Sequence, residues 1–100
     1  MNPALHYLLA TIRQEQGESD TAAASLMRAL YLDHDFVLAH FGLANIELAR
    51  GRQGQAARHL GNALEALRPH APDEILPESD GLSAGRLVEI IVSLLESLPS

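Results

Sequence analysis

Apolar residues recur along this chain at helical rather than strand spacing. Leu5, Leu8, Leu9 and Ile12 fall at i, i+3, i+4 and i+7, and Ala22, Leu26, Ala29 and Leu30 follow the same spacing in part. Ala39, Leu43 and Ile46 are expected to face inward on a third helix. Ala56, Leu60, Ala63, Leu64 and Leu67 do so on a fourth. Gly17 and Gly51 suit helix ends, Ser19 and Asp35 are candidate N-caps, and Pro69 stops the fourth helix. The spacing predicts helices over about 3–16, 20–33, 37–50 and 54–68. Residues 69–82 hold Pro69, Pro72, Pro77 and Gly81 and read as a loop, which Ile75 and Leu76 are expected to pin to the surface. Ser83 then caps a last helix over about 84–97, with a stripe of Leu87, Ile90, Ile91, Leu94, Leu95 and Leu98.

The pattern repeats. Shifting the chain by 34 residues lays Gly17 on Gly51, His6 on His40, Leu9 on Leu43, Ala10 on Ala44 and Ile12 on Ile46. The same shift pairs Ala22 with Ala56, Ala23 with Ala57, Leu26 with Leu60, Ala29 with Ala63 and Leu30 with Leu64. The period and the residue types resemble the tetratricopeptide repeat. Leu9-Ala10 and Leu43-Ala44 stand where that pattern has Leu-Gly, and Ala22 and Ala56 stand at the close crossing of each pair. His6 and His40 replace the usual Trp, and His34 replaces the terminal Pro. The expected fold is therefore all-α, an α-solenoid arrangement of two helix-turn-helix repeats plus a C-terminal capping helix. Its divisions are repeat 1 at about 3–36, repeat 2 at about 37–69, a loop at 70–82 and the cap at 83–98. Open stacks expose apolar surface at their ends, and a terminal helix covers it.

Composition narrows the function. Hydrophobic residues make up 47% and aromatics only 4%, so the core must be aliphatic. Thirteen acidic against seven basic residues give a formal charge of −6, and the basic residues are scattered arginines, which disfavours nucleic acid. The absence of cysteine excludes disulfides and thiolate chemistry. No signal peptide or membrane-length apolar run is visible, so no membrane insertion and a cytoplasmic location are expected.

Two longer stretches carry a more particular likeness. ALYLDHDFVLAHFGLANI (residues 29–46) and ESDGLSAGRLVEII (residues 78–91) resemble the C-terminal repeat region of CheR-type chemoreceptor methyltransferases, in particular their biofilm-signalling and Frz-type branches. The likeness runs from about residue 5 to residue 95. The second stretch lies outside the generic repeat and is the more specific. The resemblance implies a parent enzyme that transfers methyl groups from S-adenosylmethionine to receptor glutamates in chemotaxis or biofilm signal transduction. The family's catalytic and cofactor-binding domain lies ahead of the repeats, and nothing here matches it. No enzyme activity and no cofactor are expected of this chain itself.

The expected role is protein binding. In paired-helix repeats the first helix of each pair lines a concave face. The register assigns to that face Ala4, Tyr7, Thr11, Gln14 and Glu15, then Leu38, Phe41, Asn45, Leu48 and Ala49. Of these, Tyr7, Thr11, Gln14, Leu38, Phe41, Asn45 and Leu48 form the candidate groove, with aromatic anchors flanked by amides. The alternatives are that Tyr7 and Phe41 pack on each other or that the last helix fills the groove. Val88 and Val92 widen the apolar face of the last helix. They form a second candidate interface, either a homodimer seam or the seat of the catalytic domain; the alternative is a wide buried face. The partners implied are a chemoreceptor, another chemosensory signalling component, or the chain's own methyltransferase domain. A free-standing adaptor that grips acidic tails is disfavoured, because Tyr7, Thr11 and Gly42 stand where such proteins carry cations. Asp33, His34, Asp35 and His40 are read as junction and packing residues, not a metal site. His59 and His70 are expected to face solvent. Ser79, Asp80 and Ser83 lack the spacing of a catalytic set. The acidic residues Asp73, Glu74, Glu78 and Asp80 are read as a solvated linker.

Overall fold

The computed structural model describes residues 2–99. Five helices follow one another: α1 (Pro3–Glu15), α2 (Ser19–Leu32), α3 (Val37–Ala49), α4 (Gln53–Leu67) and α5 (Ala84–Ser97). They pack as two hairpins, α1 with α2 and α3 with α4, joined through α2 against α3 and closed by α5 on α4. Each helix end lies within one residue of its predicted position.

The two hairpins turn in the same way because glycine stands at the same place in each. Gly17 and Gly51 have φ of 78° and 76°. In the first turn the amide of Gly17 donates to the Gln14 carbonyl and that of Glu18 to Arg13; in the second, Gly51 donates to Leu48 and Arg52 to Glu47. These paired bonds satisfy the last carbonyls of α1 and α3, and the left-handed residue between them favours glycine. The caps expected at Ser19 and Asp35 are not formed. The N-cap positions are Glu18 and Phe36, and neither side chain bonds the helix end. Asp33 serves the junction instead, its carboxylate accepting the Asp35 amide at 3.1 Å.

Small residues let the hairpins close. Ala10, Ala22, Ala44 and Ala56 are fully buried, at equivalent places in the two pairs. One apolar cluster joins α1, α2 and α3 through Ala10, Ala22, Leu26, Ala29, Ala39, Leu43 and Ile46. A second joins α3, α4, α5 and the 68–83 connection through Leu38, Leu60, Leu67, Leu76, Leu87 and Ile91. At the join between the hairpins, Arg50 ties Asp20 of α2 to the buried Glu47 of α3.

The connection to α5 is a built structure. Leu76 is buried and anchors it, whereas Ile75, expected to share that task, is exposed. The Leu76 amide donates to the Leu82 carbonyl at 2.9 Å, and Ser79 Oγ accepts the Leu82 amide at 3.0 Å while donating to the Leu76 carbonyl. Glu78 and Asp80 take left-handed conformations to complete the turn. The free amides at the start of α5 are met in sequence: Ala84 by the Glu74 carbonyl, Gly85 by that of Pro72, and Arg86 by Ser83 Oγ. The expected Ser83 cap is thus present.

Candidate protein-binding surfaces

Of the predicted groove residues on α1 and α3, not all remain open. Thr11, Gln14 and Asn45 are exposed, and Tyr7, Phe41 and Leu48 are half-buried. Leu38 is a correction. It lies in the core with Leu76, because the 68–83 connection folds over the N-terminal end of α3. Tyr7 stacks on Phe36, with ring centroids 5.4 Å apart, rather than standing free in a groove. Burial raises the Tyr7 phenol above the usual tyrosine range; a Thr11 hydrogen bond opposes this and the Glu78 carboxylate reinforces it. The accessible part of the face is therefore its further half, around Thr11, Gln14, Asn45 and Leu48.

At the closed end a cavity of about 220 Å³ remains, lined by Asn2 to Ala4, Asp33, Asp35 to Leu38, His70 and Leu76 to Glu78. Helix N-termini favour anions, and those of α1 and α3 share this space with the carboxylates of Asp33, Asp35 and Glu78. The loop had no hydrophobic period by which the sequence could place it here.

Val88 is half-buried and Val92 exposed, and with Leu64 and Leu67 they line a shallow furrow between α4 and α5. His70 borders it, half-buried, with Nδ1 2.6 Å from Glu74. His59 is also half-buried, correcting the expectation that both histidines face solvent. Its pKa is lowered, first by burial and then by Arg58 and His40, with Glu47 acting in the opposite sense. His40 Nε2 lies 2.8 Å from the His34 carbonyl, so it is the donor. Among the described residues, no group of three metal-ligating side chains comes together. The Ser79 and Ser83 hydroxyls are engaged in the turn and the helix cap.

The apolar stripe that the i, i+3, i+4, i+7 spacing marks on α1 is open. Leu5, Leu8, Leu9 and Ile12 are 64%, 42%, 38% and 52% exposed. Their partners in the 34-residue register are Ala39, Gly42, Leu43 and Ile46. Of these, Ala39, Leu43 and Ile46 are 0%, 4% and 3% exposed. The α3 residues are covered by α2, and no described helix occupies that place on α1. The register itself carries this signal: the α1 stripe occupies the positions that α2 covers on α3, and among the described residues no helix packs there.

Over an alignment 79 residues long that covers 70% of this chain, the sequence is 37% identical to cellulose synthase operon protein C of Xanthomonas axonopodis pv. citri (strain 306). The matched region is only 5% of that protein's length. No protein-family model matches the chain, and no solved structure does. Among the described residues, no helix is long and apolar enough to cross a membrane.

Proposed function

We propose that this chain is a protein-binding module that holds its partner on the open half of the α1–α3 face and performs no chemistry itself. The observation that supports this is the exposure of both Thr11 and Asn45. They stand 34 residues apart, at equivalent places in the repeat on α1 and α3, and half-buried Phe41 and Leu48 lie on the same face of α3. Amides and hydroxyls beside apolar side chains suit a peptide or helix that brings both backbone and side-chain contacts. Titration calorimetry of a candidate partner tests it. Asn45→Arg should weaken binding at least about tenfold without moving the unfolding midpoint, the loss expected when a central interface residue is replaced. Unchanged affinity removes this face as the site.

The parent protein we propose is a cytoplasmic CheR-type methyltransferase of a chemosensory or biofilm pathway. In it the module would position the enzyme on a chemoreceptor or signalling partner. Support comes from residues 29–46 and 78–91, the second of which builds the Ser79 turn and the start of α5. A second reading, favoured by the 79-residue likeness, makes the chain a segment of a cellulose synthase operon protein. The encoding reading frame separates them: a methyltransferase domain ahead of residue 1 supports the first, and a long run of further repeats beside cellulose synthase genes supports the second.

A further inference from the structure

We infer that the exposed stripe on α1 is a docking face for the second helix of a further helix pair, stacked as α2 stacks on α3. The argument is continuity with an interface already present. The four exposed positions on α1 are the register partners of the four that α2 covers on α3, and two of them, Leu9 and Ile12, are the same residue types as Leu43 and Ile46. A terminal repeat that faces solvent carries a polar outer face. This one carries Leu5, Leu8, Leu9 and Ile12, so the face is built to be covered.

The structure also states what the covering helix must look like. Leu26 of α2 packs against Gly42 so closely that a Cβ on Gly42 would lie 3.0 Å from its Cδ1. The corresponding place on α1 is Leu8. A leucine on the covering helix opposite Leu8 would overfill the contact, so a small residue belongs there. The chain's own α2 and α4 carry Leu26 and Leu60 at that position. A second copy stacking head-to-tail through either helix is therefore a poor fit. The inference is independent of the partner site on the α1–α3 face.

A tandem protein tests it: residues 1–34 duplicated in register ahead of the intact chain, with and without Leu26→Ala in the added copy. Amide exchange is read at Leu8 to Ile12 of the receiving helix. With Leu26→Ala these amides should exchange at least about tenfold more slowly than in the 100-residue chain, as local opening is suppressed. The gain should be smaller when Leu26 is kept. Leu5→Arg in the receiving helix should abolish the protection, while in the 100-residue chain it leaves the unfolding midpoint in place. Unchanged exchange in both tandems, or a larger gain with Leu26 kept, overturns the inference. So does a dimer of the unaltered chain, seen by sedimentation, that Leu5→Arg dissolves, because the face would then belong to a second copy.

Discussion

Replacing Gly85 with alanine tests how the 68–83 connection is held to α5. A Cβ built there would sit 2.9 Å from the Pro72 carbonyl oxygen and 3.1 Å from the Pro72 Cβ. The first neighbour is backbone, so it yields only if the loop moves. Movement would stretch the 2.8 Å bond from the Gly85 amide to that same carbonyl. Overpacking of this kind costs about 1–3 kcal/mol, and weakening one hydrogen bond costs about 1 kcal/mol more. Alanine returns at most about 1 kcal/mol of helix propensity. The net expectation is a loss of about 2 kcal/mol. Gly61, inside α4, is the control, because nothing lies within 4 Å of its Cβ position. There the same substitution should stabilise by about 0.5–1 kcal/mol. Urea unfolding followed by circular dichroism should separate the two variants by about 3 kcal/mol, or more than about 10 °C in melting temperature for a domain of this size. If Gly85→Ala proved as stable as Gly61→Ala, the loop would not be docked as described.

The depressed His59 pKa gives a pH dependence with a definite sign. The unfolded chain binds more protons at this site, so stability should fall as pH drops through the ordinary histidine range near 6.5. Urea midpoints at several pH values should show that slope, and His59→Gln should flatten it; an unchanged slope would assign it to other groups. Ser79→Ala removes the hydroxyl that accepts the Leu82 amide and should cost about 1–2 kcal/mol, with faster amide exchange confined to Leu82 and its neighbours. Uniformly faster exchange would mean that the turn is not a local unit.

Much of this fold was legible because it is written locally. Glycine at 17 and 51 and alanine at 10, 22, 44 and 56 carry the turns and crossings in the residues themselves, and the repeat at 34 shows them twice. The misses depend on distant chain. The stripe at Leu5 to Ile12 shows that α1 is amphipathic, but whether it is covered depends on a neighbouring helix, not on its own period. Leu38 was assigned to the groove because its register is right. It is buried in a cluster that Leu76, nearly forty residues away, also joins. The two caps failed for smaller reasons: Ser19 is already the first residue of α2, and Asp33, not Asp35, takes the turn that leads into α3. Of the proposed binding face, the register assigns Thr11, Asn45 and Leu48 to one side. It gave no sign that the other end would be closed.

The account rests on the two hairpins stacking in the 34-residue register, and one contact reports that register directly. With methyl-labelled leucine, a nuclear Overhauser experiment should show strong cross-peaks between the Leu26 methyls and the Gly42 α-protons, since no side chain separates them. Leu26 methyls that report instead on Leu8, or that show no contact with Gly42, would contradict the stack and the shared α1–α3 face built upon it.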